Sequence, residues 1–264
     1  MQVIIASEAD AVASLGAGYV VRLLRQKPDA VLGLATGSTP IALYKQLISQ
    51  CRTGAVSFTR CTSFNLDEYI GIPASHPQSY RTFMEQQLFS EIDIRPENTH
   101  LPQGNAAEPK AEALEYEQKI EAAGGIDLQI LGLGRNGHIG FNEPSSSLRS
   151  RTRVKTLAPE TLEDNSRFFS ADEFQPRLAI TMGIGTILEA RQILLLVTGS
   201  QKAAALKELV EGPLSANCPA SALQLHQNTI IIADREAAAL LSNQRYYQQV
   251  QIETDRMLAE VANG

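Results

Sequence analysis

Apolar positions along this chain fall into two alternating patterns. Short runs at 3–5, 30–35, 62–66, 126–131, 178–181, 193–197 and 229–233 are rich in Val, Ile and Leu. Several are apolar at successive positions, such as ILLLV at 193–197. Such a run buries both faces of a strand, which predicts a parallel sheet covered by helices on each side. Between the runs, apolar residues recur at three-to-four spacing. That spacing predicts helices over 8–25, from Pro40 to about 49, and over 79–89, 109–122, 200–211 and 235–262. Pro40 suits a first helical turn, where its missing N–H costs nothing. The alternation with short connections predicts an α/β fold with a doubly wound, mostly parallel sheet. The chain shows no internal repeat and no long linker, so one domain over 1–264 is expected. The polar stretch at 156–175 has no clear strand and is expected to form a mobile lid.

Composition narrows the partners. The formal net charge is −6 and there is no Trp, which argues against nucleic acid and anionic membranes as targets. Cys51, Cys61 and Cys218 are far apart in sequence and odd in number, so a disulfide framework is not expected. The first 26 residues read as strand then amphipathic helix, not as a signal peptide. No apolar run approaches the ~18 residues of a membrane span. A cytoplasmic protein is the expectation.

Three segments carry candidate chemistry. In GLATGSTP at 33–40, Gly37, Ser38 and Thr39 lie between a strand and a helix. Unpaired N–H groups and the helix dipole make such a turn an anion site, and an ordinary N-cap is the plainer reading. Lys202, in TGSQK after another strand, and Arg167, in the polar segment, are cations suited to a phosphate. In SFNLDEYIG, Asp67 and Glu68 end a strand and point opposite ways, so one carboxylate faces the cleft. A carboxylate there can abstract a proton beside a carbonyl, and can equally be a turn residue. In LGLGRNGHIGFNEP, glycines surround Asn136, His138 and Glu143, an imidazole with groups to orient it. The histidines and carboxylates lack metal-site spacing, so no metal is expected.

LATGSTP, FNLDEYIG, GRNGHIGFNEPSSSL, NSRFF and TGSQKAAAL with SALQLH together resemble the glucosamine-6-phosphate deaminase family over nearly the whole chain. The resemblance implies a three-layer α/β/α, modified Rossmann-like fold and a homo-oligomer, often a hexamer. It implies conversion of glucosamine 6-phosphate and water to fructose 6-phosphate and ammonia without a cofactor. By position, Asp67 matches the proton acceptor of enolisation, and His138 matches the acid-base group of ring opening, with Glu143 as its partner. Gly37, Ser38, Thr39, Arg167 and Lys202 match the phosphate pocket. Asn136 stands where many relatives carry Asp, in a ring-opening trio with His138 and Glu143. The amide takes one negative charge from beside the imidazole and still offers a hydrogen bond.

The resemblance also implies an activator site for N-acetylglucosamine 6-phosphate between subunits. Ser146, Arg153, Lys155 and Thr156 match it, with Tyr246 as its tyrosine. Read from residues alone, RSRTRVK at 149–155 is a solvated basic run. Two alternatives stand beside the deaminase reading. A 6-phosphogluconolactonase-type hydrolase shares the phosphate turn and the GH motif, but typically shows an SLFP-like segment in place of FNEP. A non-catalytic sugar-phosphate-sensing domain predicts loss of the carboxylates that are present here.

Overall fold

The computed structural model describes residues 1–262 apart from 167, 168 and 170–172, and the side chains at 164, 165, 255 and 257–262 lie outside the description. In chain order the elements are β1 (Gln2–Ala6), α1 (Ala9–Gln26), β2 (Val31–Leu34), α2 (Ser38–Arg52), β3 (Thr62–Asn65), β4 (Asp67–Tyr69), α3 (Tyr80–Gln87), β5 (Thr99–His100) and α4 (Pro109–Ala122). They continue with β6 (Leu128–Gly132), β7 (Arg153–Thr156), α5 (Pro159–Ser166), β8 (Leu178–Thr181), α6 (Ile184–Leu188), β9 (Gln192–Val197), α7 (Ala203–Glu211), β10 (Thr229–Asp234) and α8 (Gln244–Ala262).

Seven strands form one parallel sheet in the order β1-β10-β9-β6-β2-β3-β5. Alternate residues of each strand feed two cores. Val31, Phe64, Leu131, Leu195 and Ile231 pack on one face with Tyr116 of α4 and Leu206 of α7. Leu32, Leu34, Ile130, Leu194 and Ile232 pack on the other with Val20 of α1 and Leu43 of α2. Apolar residues at successive positions are what a sheet covered on both faces requires. The expected three-layer α/β/α arrangement is therefore present.

The order reverses once. From β2 the chain adds β3 and β5 toward one edge, then returns to place β6 on the other side of β2. Neighbouring crossovers leave in opposite directions there, so the carboxyl ends of β2 and β6 border an open crevice. Gly33 leaves room there for the buried Gln129 side chain, whose amide would stand 2.1 Å from a Cβ at this position.

Two differences from the sequence expectations have physical causes. The run at 178–181 is a strand, but β8 belongs to a separate antiparallel sheet, β4-β8-β7. Its partners DEY and RVKT are too short and polar to carry an apolar period, which hid the second sheet. The last helix begins at Gln244, not at 235. Asp234 accepts from Ala237 N (2.7 Å) and holds a turn, and Glu211 accepts from Ser242 N and Asn243 N at 2.9 Å, just before the new helix. The segment expected as a lid holds β7's last residue and α5, and residues 167, 168 and 170–172 of it lie outside the described set. Within it, Leu157 and Leu162 join Tyr69 and Phe141 in one apolar cluster.

Asp234 also accepts from Gly199 N at 2.9 Å, tying the loop after β9 to β10. Asp234→Ala leaves the N–H groups of Gly199 and Ala237 without this acceptor. It is expected to lower unfolding free energy by about 2 kcal/mol in urea titration, and a loss below about 0.5 kcal/mol would contradict the role.

Candidate active site

The carboxyl ends of β9, β6, β2 and β3 are neighbours, and their loops enclose a cleft of about 270 Å³. Gly37, Ser38 and Thr39 come from the loop after β2, Asp67 follows β3, His138 follows β6, and Lys202 follows β9; all line the cleft. Arg167 lies outside the described residues.

The anion-binding turn has a simple local cause. Gly37 precedes α2 with φ +104°, a left-handed conformation that favours glycine. It has no side chain with which to cap the helix, so the N-cap position leaves the first-turn N–H groups of α2 open to an anion. The Tyr44 hydroxyl, buried under the sheet, donates to Ala35 O at 2.5 Å and fixes the turn from below.

Asp67 and Glu68 do part ways, as their strand neighbours require. Asp67 faces the cleft, 5% exposed. Glu68 turns inward and accepts from the N–H groups of Tyr69, Tyr80 and Arg81, each at 2.9 Å, which anchors the start of α3. Burial raises the proton affinity of Asp67, the negative charge of Glu68 adds to it, and a hydrogen bond with Thr181 opposes both; the pKa stands at about 8. Such a carboxylate is a far stronger base than one in water.

His138 and Glu143 are joined through Asn136. Asn136 Nδ2 donates to Glu143 Oε2 at 2.9 Å, and Asn136 Oδ1 lies 2.7 Å from His138 Nδ1. A carboxylate only accepts, so the NH₂ of Asn136 must face Glu143 and its oxygen must face the ring. That oxygen in turn needs a proton on Nδ1, which leaves Nε2 of the neutral ring as the acceptor. Glu143 Oε2 also lies 3.4 Å from Nδ1. The Thr161 hydroxyl of α5 donates to Glu143 Oε1 at 2.5 Å. Burial would raise the Glu143 pKa, but the hydrogen bonds from His138, Thr161 and Asn136 and the His138 charge outweigh it and hold it at about 2. Gly134 lets the imidazole lie flat on the loop, since a Cβ there would be 2.3 Å from the ring.

Several contributors were not legible beforehand. Thr181 stands opposite Asp67 in the β4–β8 register and accepts from Phe141 N at 3.1 Å, joining the loops that carry Asp67 and His138. Asn142 donates to Ile139 O (2.9 Å) and Met182 O (2.8 Å) and accepts from Arg153 Nη1 at 2.9 Å. Tyr80 and Arg135 line the cleft. A polar residue inside an otherwise apolar frame, such as Thr181 after LAI, was the available signal. Among the described residues no three His, Cys, Asp or Glu side chains gather as a metal site.

The raised pKa makes ionised Asp67 a cost to the fold. The unfolded value is near ~3.9, so this cost is absent below about pH 4, grows with pH and is complete above pH 8. Asp67→Asn is therefore expected to raise Tm at pH 9 by at least roughly 3 °C and to change it little at pH 4. Equal shifts at both pH values in thermal melts would contradict the assignment.

Comparisons with known proteins agree with this geometry. The family model described as glucosamine-6-phosphate isomerases/6-phosphogluconolactonase matches residues 6–232. A glucosamine-6-phosphate deaminase of Hahella chejuensis is 64% identical over 257 residues, covering 97% of this chain and 98% of the relative. One of Shewanella loihica is 56% identical over 262 residues, covering 99% and 98%. A solved monomeric glucosamine-6-phosphate deaminase superposes with TM-score 0.89 at 45% identity, over 91% of this chain and 100% of that one. The 6-phosphogluconolactonase from Trypanosoma cruzi has TM-score 0.75 at 20% identity, over 91% of this chain and 97% of that one, a likeness of fold alone. With a family model spanning most of its length and relatives this similar, the chain belongs to the glucosamine-6-phosphate isomerase/6-phosphogluconolactonase family.

Proposed function

We propose that this protein is an enzyme that converts glucosamine 6-phosphate and water to fructose 6-phosphate and ammonia. The observation that carries the reading is one cleft holding an anion-binding turn, a base of raised proton affinity at Asp67 and an imidazole oriented at His138. Deaminases at 56% and 64% identity over nearly the whole length support it.

The sequence of steps follows from the groups present. Phosphate binds the first turn of α2 and Lys202, which anchors the sugar away from the reacting carbons. Nε2 of His138 shuttles a proton between the C1 hydroxyl and the ring oxygen, opening the pyranose to an aldehyde. Glu143 stays ionised and steadies the imidazole when it is charged. Asp67 removes the C2 proton while the substrate ammonium gives one to O1, leaving a cis-enolamine, and the proton held by Asp67 then goes to C1. The resulting C2 imine adds water and expels ammonia, which leaves the ketone. The lactonase alternative needs no carbon base, and the environment of Asp67 supports one.

The activator site is a further part of the proposal. The Arg153 guanidinium is held by Asn142, next to Glu143 in sequence. Burial lowers the Lys155 pKa, and the Arg153 charge lowers it further, so the pair favours an anion. Ser146 adds a buried hydroxyl whose oxygen has no hydrogen-bond partner among the described residues. Thr156 ends β7, while Tyr246 is exposed on α8, which packs on β1 at the sheet edge. No described contact joins Tyr246 to the other four, and in the proposed site Tyr246 comes from a second copy. The 45%-identical solved deaminase is described as monomeric, so the homo-oligomer, a hexamer included, is a matter for light scattering.

Purified protein is expected to release ammonia from glucosamine 6-phosphate in step with fructose 6-phosphate. No release, with hydrolysis of 6-phosphogluconolactone instead, would overturn the reading. Lys202→Ala is expected to raise KM by about ten-fold or more through loss of a charge-assisted contact, and an unchanged KM would remove Lys202 from the phosphate site. Added N-acetylglucosamine 6-phosphate is expected to raise activity at low substrate, and Arg153→Gln to abolish that response without changing kcat. Activity indifferent to the acetylated sugar would contradict the activator site.

A further inference from the structure

The loop after β6 carries one more cleft residue that the proposed steps do not use. We propose that Arg135 is a substrate-binding residue that gives its guanidinium to the phosphate of the sugar phosphate. The inference rests on the sugar-phosphate reading of the cleft and adds a third element to the anion site.

Sheet order supplies the first argument. β6 is hydrogen-bonded to β2 on one side and to β9 on the other. Its carboxyl-end loop therefore rises between the first turn of α2 and the loop bearing Lys202. Arg135 lines the cleft together with Gly37, Ser38, Thr39 and Lys202.

Local geometry supplies the second. Gly137 N donates to Gly134 O at 3.0 Å, and Gly134 N donates to His138 O at 2.9 Å. Residues 134–137 thus form a closed turn with Arg135 at its tip. The turn cannot drift from the imidazole, because Gly134 lies against the His138 ring. The backbone at Arg135 is therefore held beside the imidazole.

Charge supplies the third. A phosphate monoester is close to a dianion at neutral pH, so its site favours more than one cation. Among the described residues, Lys202 and Arg135 are the lysine and arginine side chains that line the cleft. A planar guanidinium pairs two phosphate oxygens at once, where an ammonium acts as a point charge.

The test uses the full-length protein with Arg135→Gln and Arg135→Lys. KM and kcat are read with glucosamine 6-phosphate, and binding of inorganic phosphate is read by calorimetry and by competitive inhibition. Arg135→Gln is expected to weaken inorganic phosphate binding and to raise KM, each by roughly ten-fold or more, with kcat within about three-fold. Arg135→Lys is expected to recover part of both, and it also serves if the glutamine variant fails to fold. Phosphate binding within two-fold of the parent, or a fall in kcat at unchanged KM, would assign Arg135 to loop structure and overturn the inference. If the parent releases no ammonia, the deaminase reading fails, while the phosphate titration still decides the role of Arg135.

Discussion

The pairing of β6 with both β2 and β9 is the constraint on which the rest of the structure depends. All seven strands of the main sheet run parallel, so every carboxyl end opens on one side. The chain reverses its direction of winding between β2 and β6, and crossover connections diverge there. The gap is thus filled by loops, and four adjacent loops supply the anion turn, the carboxylate base, the imidazole and the lysine. Gly33 keeps this junction tight, and Tyr44, Asp234 and Glu68 fix the surrounding turns through backbone groups.

Burial then divides the work between two carboxyl groups. Asp67 receives a neighbouring negative charge and a weak counter-pull from one hydroxyl, and its proton affinity rises. Glu143 receives donors from Asn136 and Thr161 and lies beside His138, and its proton affinity falls despite burial. Groups of one chemical type are pushed to opposite ends of the scale, which suits one to take a proton from carbon and the other to remain an anion. The amide at 136 serves this arrangement because it is both donor and acceptor. It satisfies Glu143 with one end and selects the imidazole tautomer with the other.

Much of this was legible in the sequence because the signals were local. Doubly buried strands announced themselves as unbroken apolar runs, and the cleft residues sat in glycine-rich turns at their ends. Asp67 and Glu68 were separable by strand alternation alone. The small antiparallel sheet was not legible, since DEY and RVKT have neither the length nor the apolar period of a strand. The end of the chain misled for a related reason. Residues 235–240 have helical composition, yet Asp234 binds Ala237 N within that stretch and Glu211 binds Ser242 N just after it, and the helix starts only at Gln244. Thr181 and Asn142 join loops distant in sequence, and only the tertiary fold brings them to the site.

The account stands on Asp67 being a base made strong by its surroundings. The direct measurement is a ¹³C NMR titration of the side-chain carboxyl of Asp67 in the free protein, its signal identified by its absence in Asp67→Asn. A midpoint near 8 is the expected result. A midpoint near ~4, the value of an aspartate in water, would contradict the account, because the cleft would then have done nothing to the group proposed to take the carbon proton.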